Sequence, residues 1–288
     1  GSATGSPWGA LTINGFVDGY LVYSDNTKTN LTGCSSLATS VTIPSSVTSI
    51  GYYAFYGCNG LTTVNFNATN CAQFGYNNGI SGNTNITTLS IGENVETIPS
   101  SAFSGCSGLT TVNFNATNCT SMGSSVWSGC SSLSTLNIGE NVTNIPAYAF
   151  SGCSELSGTL TVPNSVTSIG NSAFSGCNGL TTLNFNAENC TGTISGSLFD
   201  SNHTLSKLTI GETVATIPNN AFKNCVALDS IISYASNPPV IYGGTFDSQL
   251  SLNTPVVVPC GMVETYEDAD FWYNFRRIRQ APGCGQTY

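Results

Sequence analysis

Cysteine is the residue of this 288-residue chain with the widest choice of chemistry, and there are twelve of them. Seven (Cys34, Cys58, Cys106, Cys130, Cys153, Cys177 and Cys225) occupy one recurring sequence context, next to apolar residues. Cys71, Cys119 and Cys190 form a second set, each 13 residues after a member of the first. Zinc would need a second ligand pair to close a tetrahedral site, and His203 is the only histidine. Twelve cysteines in an exported protein would ordinarily suggest a disulfide framework. If the contexts stack in register, however, their side chains point in parallel, which suits the dihedral of a disulfide poorly. Free thiols buried as small hydrophobes are therefore expected at these positions. A bridge, if one exists, is to be sought between Cys260 and Cys284.

The remaining reactive residues are few. His203 lies in the turn Ser201-Asn-His-Thr204 with Asp200 near it, but no nucleophile elbow accompanies them. Glu93, Glu140 and Glu212 hold equivalent places in different repeats, so they form a row rather than a facing pair suited to glycoside hydrolysis. Calcium would need six or more oxygens converging on one point. No phosphate-cradling glycine loop is present. No enzymatic activity and no cofactor is expected.

The charge pattern narrows the partners. The net charge is −9 and the six basic residues leave positions 29–206 without a lysine or arginine. Nucleic acid, which requires clustered basic side chains, is excluded as a partner. Arg276, Arg277 and Arg279 form the one basic cluster and are expected to pair with Glu264, Glu267, Asp268 or Asp270. No apolar run is long enough to cross a membrane as a helix.

What positions all these residues is a repeat of 23 to 25 residues. Its signature is an aromatic, a spacer, Gly, Cys, two small residues and Leu, as in Phe103-Ser-Gly-Cys106-Ser-Gly-Leu109 and Phe174-Ser-Gly-Cys177-Asn-Gly-Leu180. Asn83 and Asn202 replace the cysteine in two weaker copies. The leading apolar residues are read at Leu37, Leu61, Ile86, Leu109, Leu133, Leu156, Leu180, Leu205 and Leu228. Short alternating runs follow, such as Leu61-Thr-Thr-Val64-Asn-Phe66, which predict half-buried strands. A second apolar pair comes next, for example Val95/Ile98 and Val166/Ile169, and then the Ala-Phe of the following signature. One such coil cannot bury enough apolar surface to fold alone, so stacking and capped ends are required. The expected organisation is an N-terminal cap at 1–36, eight repeats at 37–228, and a closing segment at 229–288. In the cap, 1–6 reads as a tag or linker remnant, with an export signal removed; Leu11-Thr-Ile13 and Phe16 to Tyr23 read as strands.

If Leu61, Val64 and Phe66 point inward, their neighbours point outward, and stacking makes two exposed columns. The residues proposed to form a binding face are Thr63, Asn65, Thr88, Ser90, Thr111, Asn113, Thr135, Asn137, Thr182 and Asn184. Thr and Asn also suit exposed strands for purely structural reasons, laddering hydrogen bonds among themselves. The functional reading is a neutral docking surface for a protein, or less readily for a glycan, since few aromatics reach that face.

The phrases Val47-Thr-Ser-Ile-Gly-Tyr-Tyr-Ala-Phe-Tyr-Gly-Cys58 and Val166-Thr-Ser-Ile-Gly-Asn-Ser-Ala-Phe-Ser-Gly-Cys177 resemble the BspA-like (Treponema-type) leucine-rich repeats of bacterial surface proteins. The likeness spans about 37–228 and extends to a tail, Asn237-Pro-Pro-Val, Val258-Pro and Tyr266 to Ile278, similar to that of gut Bacteroides members. This resemblance implies a leucine-rich repeat solenoid with a curved parallel β-sheet on its concave side and short irregular convex segments. It also implies export to the cell surface and adhesion to host matrix or microbial surface proteins. A glycan-binding module of a carbohydrate-scavenging system and a structural spacer are the alternatives.

Overall fold

The computed structural model describes residues 15–75, 80–117, 119, 121–190, 197–199, 202–247, 250 and 254–284. The chain forms two compact units, 1–139 and 140–288. Expected features at 1–6 and Leu11 to Ile13, and Asp200 and Ser201 beside His203, lie outside the described residues.

The first unit begins with an antiparallel hairpin, Phe16–Asp18 against Leu21–Tyr23, to which Asn30–Cys34 adds antiparallel. Asn30–Cys34 then pairs parallel with Ser49–Ile50, and that strand with Gln73–Phe74. The hairpin thus supplies the first edge on which parallel coils can stack. The main sheet follows: Ser40–Ile43, Thr63–Phe66, Thr88–Ile91, Thr111–Phe114 and Thr135–Ile138, all parallel and in register. The alternation read from the sequence sets its faces, with Val64, Phe66, Leu89, Ile91, Val112 and Phe114 buried on the inner side. Leu109 and Leu133 lead into neighbouring, paired strands.

The first coil corrects the sequence reading by one residue. Leu37 is 61% exposed, whereas Ala38 is fully buried. The register Val41↔Val64 and Ile43↔Phe66 aligns Ala38 with Leu61. The turn bond agrees, since the Ala38 amide donates to the Ser35 carbonyl as the Leu61 amide does to that of Cys58. Ser35, buried, therefore takes the cysteine place. Cys34-Ser-Ser-Leu37 imitates the signature one position early.

In the second unit the six-stranded sheet is Ser157–Val162, Gly179–Phe185, Lys207–Ile210, Ser230–Ser233, Val256–Val258 and Ile278–Gln280, parallel throughout. Leu160 follows Leu156 by four positions where Leu183 follows Leu180 by three. The ladder shifts register between Gly158 and Thr159, with Gly158 at φ 74°, a conformation glycine adopts without steric cost. Behind the sheet the Ala-Phe positions build a column of rings: Phe150, Phe174, Phe199, Phe222 and Phe246 stack with centroids 5.4 to 6.0 Å apart.

The closing segment holds a short helix, Val263–Glu267, and a 3₁₀ turn, Trp272–Asn274. Its large side chains go inward with their polar tips paired. Tyr266 Oη donates to the Ala235 carbonyl at 2.8 Å, and Trp272 Nε1 to that of Pro239 at 2.8 Å. Cys260 and Cys284 are disulfide-bonded, with Cα atoms 5.4 Å apart. Among the described residues the ion pair is Lys28 with Asp18, at 2.7 Å. The expected pairing of Arg276, Arg277 and Arg279 with the acidic residues of 264–270 is not found among the described residues; all three arginines are exposed. Charges in water gain little from ordering long side chains into a pair.

Candidate interaction surface

The outward residues of the first unit line up in two rows. Ser40, Thr63, Thr88, Thr111 and Thr135 are successive partners in one; Thr42, Asn65, Ser90, Asn113 and Asn137 in the other. Thr135 and Asn137, on the edge strand, are exposed; the other eight predicted residues are half-buried by their neighbours in the rows. Amides tie the second row together. Asn137 Nδ2 donates to Asn113 Oδ1 at 2.9 Å, Asn113 Nδ2 to Ser90 Oγ at 3.5 Å, and Asn65 Nδ2 to Thr42 Oγ1 at 3.3 Å.

Thr182 and Asn184 belong to the second unit. There Thr159, Thr182 and Lys207 form one row and Thr161, Asn184 and Thr209 the other, with Asn184 Nδ2 donating to Thr161 Oγ1 at 3.3 Å. The ten predicted residues are thus brought together as eight on one sheet and two on another.

A third row escaped the sequence reading. Thr62, Thr87, Thr110 and Ser134 each donate a side-chain hydroxyl to a backbone carbonyl one coil earlier, at 3.0 to 3.3 Å. Those carbonyls already accept from two amides of the next coil, as Thr39 does from Thr62 and Thr63. This row is occupied by the stacking itself.

The thiols serve the stack as well. Ten cysteines are free, nine of them buried and Cys34 half-buried. Cys106 Sγ donates to the Ile80 carbonyl at 2.8 Å, Cys130 Sγ to that of Phe103 and Cys177 Sγ to that of Phe150, both at 3.3 Å. Burial pushes the Cys71 thiol up to about 12 and raises that of Cys177 too, so neither offers a thiolate nucleophile near neutral pH. Asn202 explains why asparagine can stand in for cysteine. Its Nδ2 donates to the Cys177 carbonyl at 2.6 Å, while its Oδ1 accepts from the amides of Thr204 and Leu205 at 2.9 and 2.8 Å. Asn83 Oδ1 accepts from Asn85 and Ile86 in the same way.

Glu93 lies in the first unit, Glu140 and Glu212 in the second, and each is exposed, as is His203. Among the described residues no three His, Cys, Asp or Glu side chains gather as a metal site would require. No described helix is long and apolar enough to cross a membrane.

With the repeat, its parallel register and its inward cysteine column in place, the chain can be set beside known repeat families, and one family model matches it. The model, BspA type leucine rich repeat region (6 copies), matches residues 30–157 and 158–274. The chain belongs to the BspA-type leucine-rich repeat family. Similar solved structures include a leucine rich cell surface protein from Faecalibacterium prausnitzii, with 19% identity, 94% of this chain and 96% of that one covered, and a TM-score of 0.40. A leucine-rich repeat protein of T. pallidum has 20% identity, with 69% and 82% covered and a TM-score of 0.41. One from Bacteroides ovatus has 18% identity, with 87% and 80% covered and a TM-score of 0.38. No curated protein matches the sequence. In this BspA-type chain the signature residues are committed to stacking, which leaves the outward rows and the corners of the coils as the places where members of the repeat can differ without harm to the fold.

Proposed function

We propose that this BspA-type chain is a non-enzymatic, exported surface protein that binds a protein partner along the strand face, serving adhesion to host matrix or microbial surfaces. The observation carrying this reading is the pair of in-register hydroxyl and amide rows on the five-stranded sheet of the first unit. Paired strands hold these groups at constant spacing, so little conformational freedom is lost when a partner docks. Repeat proteins present extended binding surfaces of this kind. Export is supported by the Cys260–Cys284 disulfide, a bond that persists in oxidising compartments.

The rows are uncharged, so binding through them depends on shape and neutral hydrogen bonds. The test begins with a pulldown from matrix and microbial-surface extracts using the full chain as bait. Affinity for a captured protein should fall less than about tenfold between 0.1 and 1 M salt, over which the screening length shrinks from about 10 Å to about 3 Å. Thr111→Glu combined with Asn113→Glu should abolish it. A steep salt dependence would move the site to the Arg276–Arg279 region or to the exposed glutamates, and the strand-face reading would fail.

A further inference from the structure

The first unit also carries a surface feature that the repeat does not need. Tyr52, Tyr53 and Tyr56 stand out from one coil at 64%, 56% and 77% exposure. The other coils act as an internal control. At the three equivalent positions the following coils have Ser100, Ser101 and Ser104, then Ser124, Ser125 and Ser128. Later ones have Asn171, Ser172 and Ser175, with Tyr148 the one other tyrosine at any of the three places in the coils with an aromatic signature residue. The backbone is the same in each, since Tyr53, Ser101, Ser125 and Ser172 all sit in the left-handed region at φ 53° to 60°. Serine at the third place is even useful, because Ser81 Oγ and Ser104 Oγ each donate to a carbonyl of the next coil, at 2.9 and 3.0 Å. Tyr56 gives up that bond, and all three tyrosines leave large rings in water, so the fold does not account for them.

Their surroundings indicate a ligand class. Tyr53 and Tyr56 meet edge to face with centroids 5.7 Å apart. Tyr56 forms one wall of an open groove of about 500 Å³ whose rim carries Asn59, Ser81, Thr84 and Asn85. Among the described residues lining this groove none is charged, and no aliphatic side chain joins the rings. A protein partner is usually anchored where aromatic and aliphatic side chains form one desolvated core, whereas here amides and hydroxyls adjoin the rings. A pyranose fits the chemistry better. Its C–H face packs on a tyrosine ring, while its hydroxyls exchange hydrogen bonds with amides and hydroxyls at the rim. We propose that the Tyr52/Tyr53/Tyr56 corner and the adjoining groove bind a neutral glycan chain, at a site separate from the strand rows.

Native affinity electrophoresis of the full chain, in gels containing laminarin, yeast mannan or galactan, tests this, with polygalacturonate as the charged comparison. At least one neutral polymer should retard the protein more than polygalacturonate does. Tyr53→Ser with Tyr56→Ser, residues that neighbouring coils already use, should weaken that retardation by about tenfold or more, as loss of tyrosine anchors does at interfaces. The thermal midpoint of this variant should stay unchanged. Thr111→Glu with Asn113→Glu should be retarded as the parent is, which separates this site from the strand face. No retardation by any neutral polymer, or equal retardation of the tyrosine variant, overturns the proposal. So does a variant whose only change is in self-association by sedimentation, because the tyrosines would then be a protein contact.

Discussion

Asn202 and the cysteines around it show how one position in the coil can be filled by two chemistries. The site must be small, buried and able to donate a hydrogen bond to the preceding coil, and a thiol meets those terms in Cys106, Cys130 and Cys177. Asparagine meets them by donating to the Cys177 carbonyl and accepting from the amides of Thr204 and Leu205. Asn202→Ala should therefore lower the unfolding free energy by about 2–4 kcal/mol in urea titrations, since buried groups lose their partners. Asn202→Cys should cost clearly less; an equal loss would mean that the amide bonds, rather than the filled site, are what matters. The thiols give a second prediction. Ellman's reagent should find ten free thiols in denaturant without reductant and almost none in the native protein at pH 8. Burial of the cysteine column was legible from its apolar context. Its hydrogen bonds were not, because they depend on which carbonyl the previous coil turns inward.

At the scale of the coil, inward and outward faces followed directly from alternation, and every strand of the main sheet shows it. The first coil shows where this reading fails. A pattern match alone cannot choose between Leu37 and Ala38, and the choice is made by strand register, in which Val41 and Ile43 must meet Val64 and Phe66. The tyrosine corner was not read from the sequence; its exposure and the groove beside it required the folded backbone. Coil-to-coil contact makes stability a nearest-neighbour matter. Phe174 is fully buried and stacks on Phe150 and Phe199 at 5.5 and 5.4 Å. Phe174→Ala should cost roughly 3–5 kcal/mol. Hydrogen exchange should then show lost protection in the coils containing Phe150 and Phe199 ahead of the hairpin Phe16–Tyr23. Uniform loss over both units at once would contradict nearest-neighbour coupling.

Across the molecule, stability comes from buried apolar columns and backbone ladders, with hardly any help from ion pairs. The period and the near absence of lysine and arginine made this legible before any contact was known. The acid response should consequently trace to individual carboxylates with partners, and Asp25 is the clearest. In the N-terminal turn its carboxylate accepts from the Thr27 hydroxyl, from the Thr29 amide and hydroxyl, and from the Asn30 amide. Those bonds, the Thr27 hydroxyl first and the Thr29 amide next, hold its carboxyl well below the usual range. The sign follows from linkage. A folded-state pKa below the unfolded value of about 3.9 means that the unfolded chain binds the proton more readily. The stabilisation is therefore fully present above that pH and is lost progressively as pH falls below it toward the folded value. In urea titrations between pH 7 and pH 2, the parent should lose stability on the acid side of about pH 4. Asp25→Asn has no proton to gain there, so it should start less stable at pH 7 and approach the parent as pH drops. Parallel curves across the whole range would show that the turn is held by its backbone alone, with no contribution from the carboxylate.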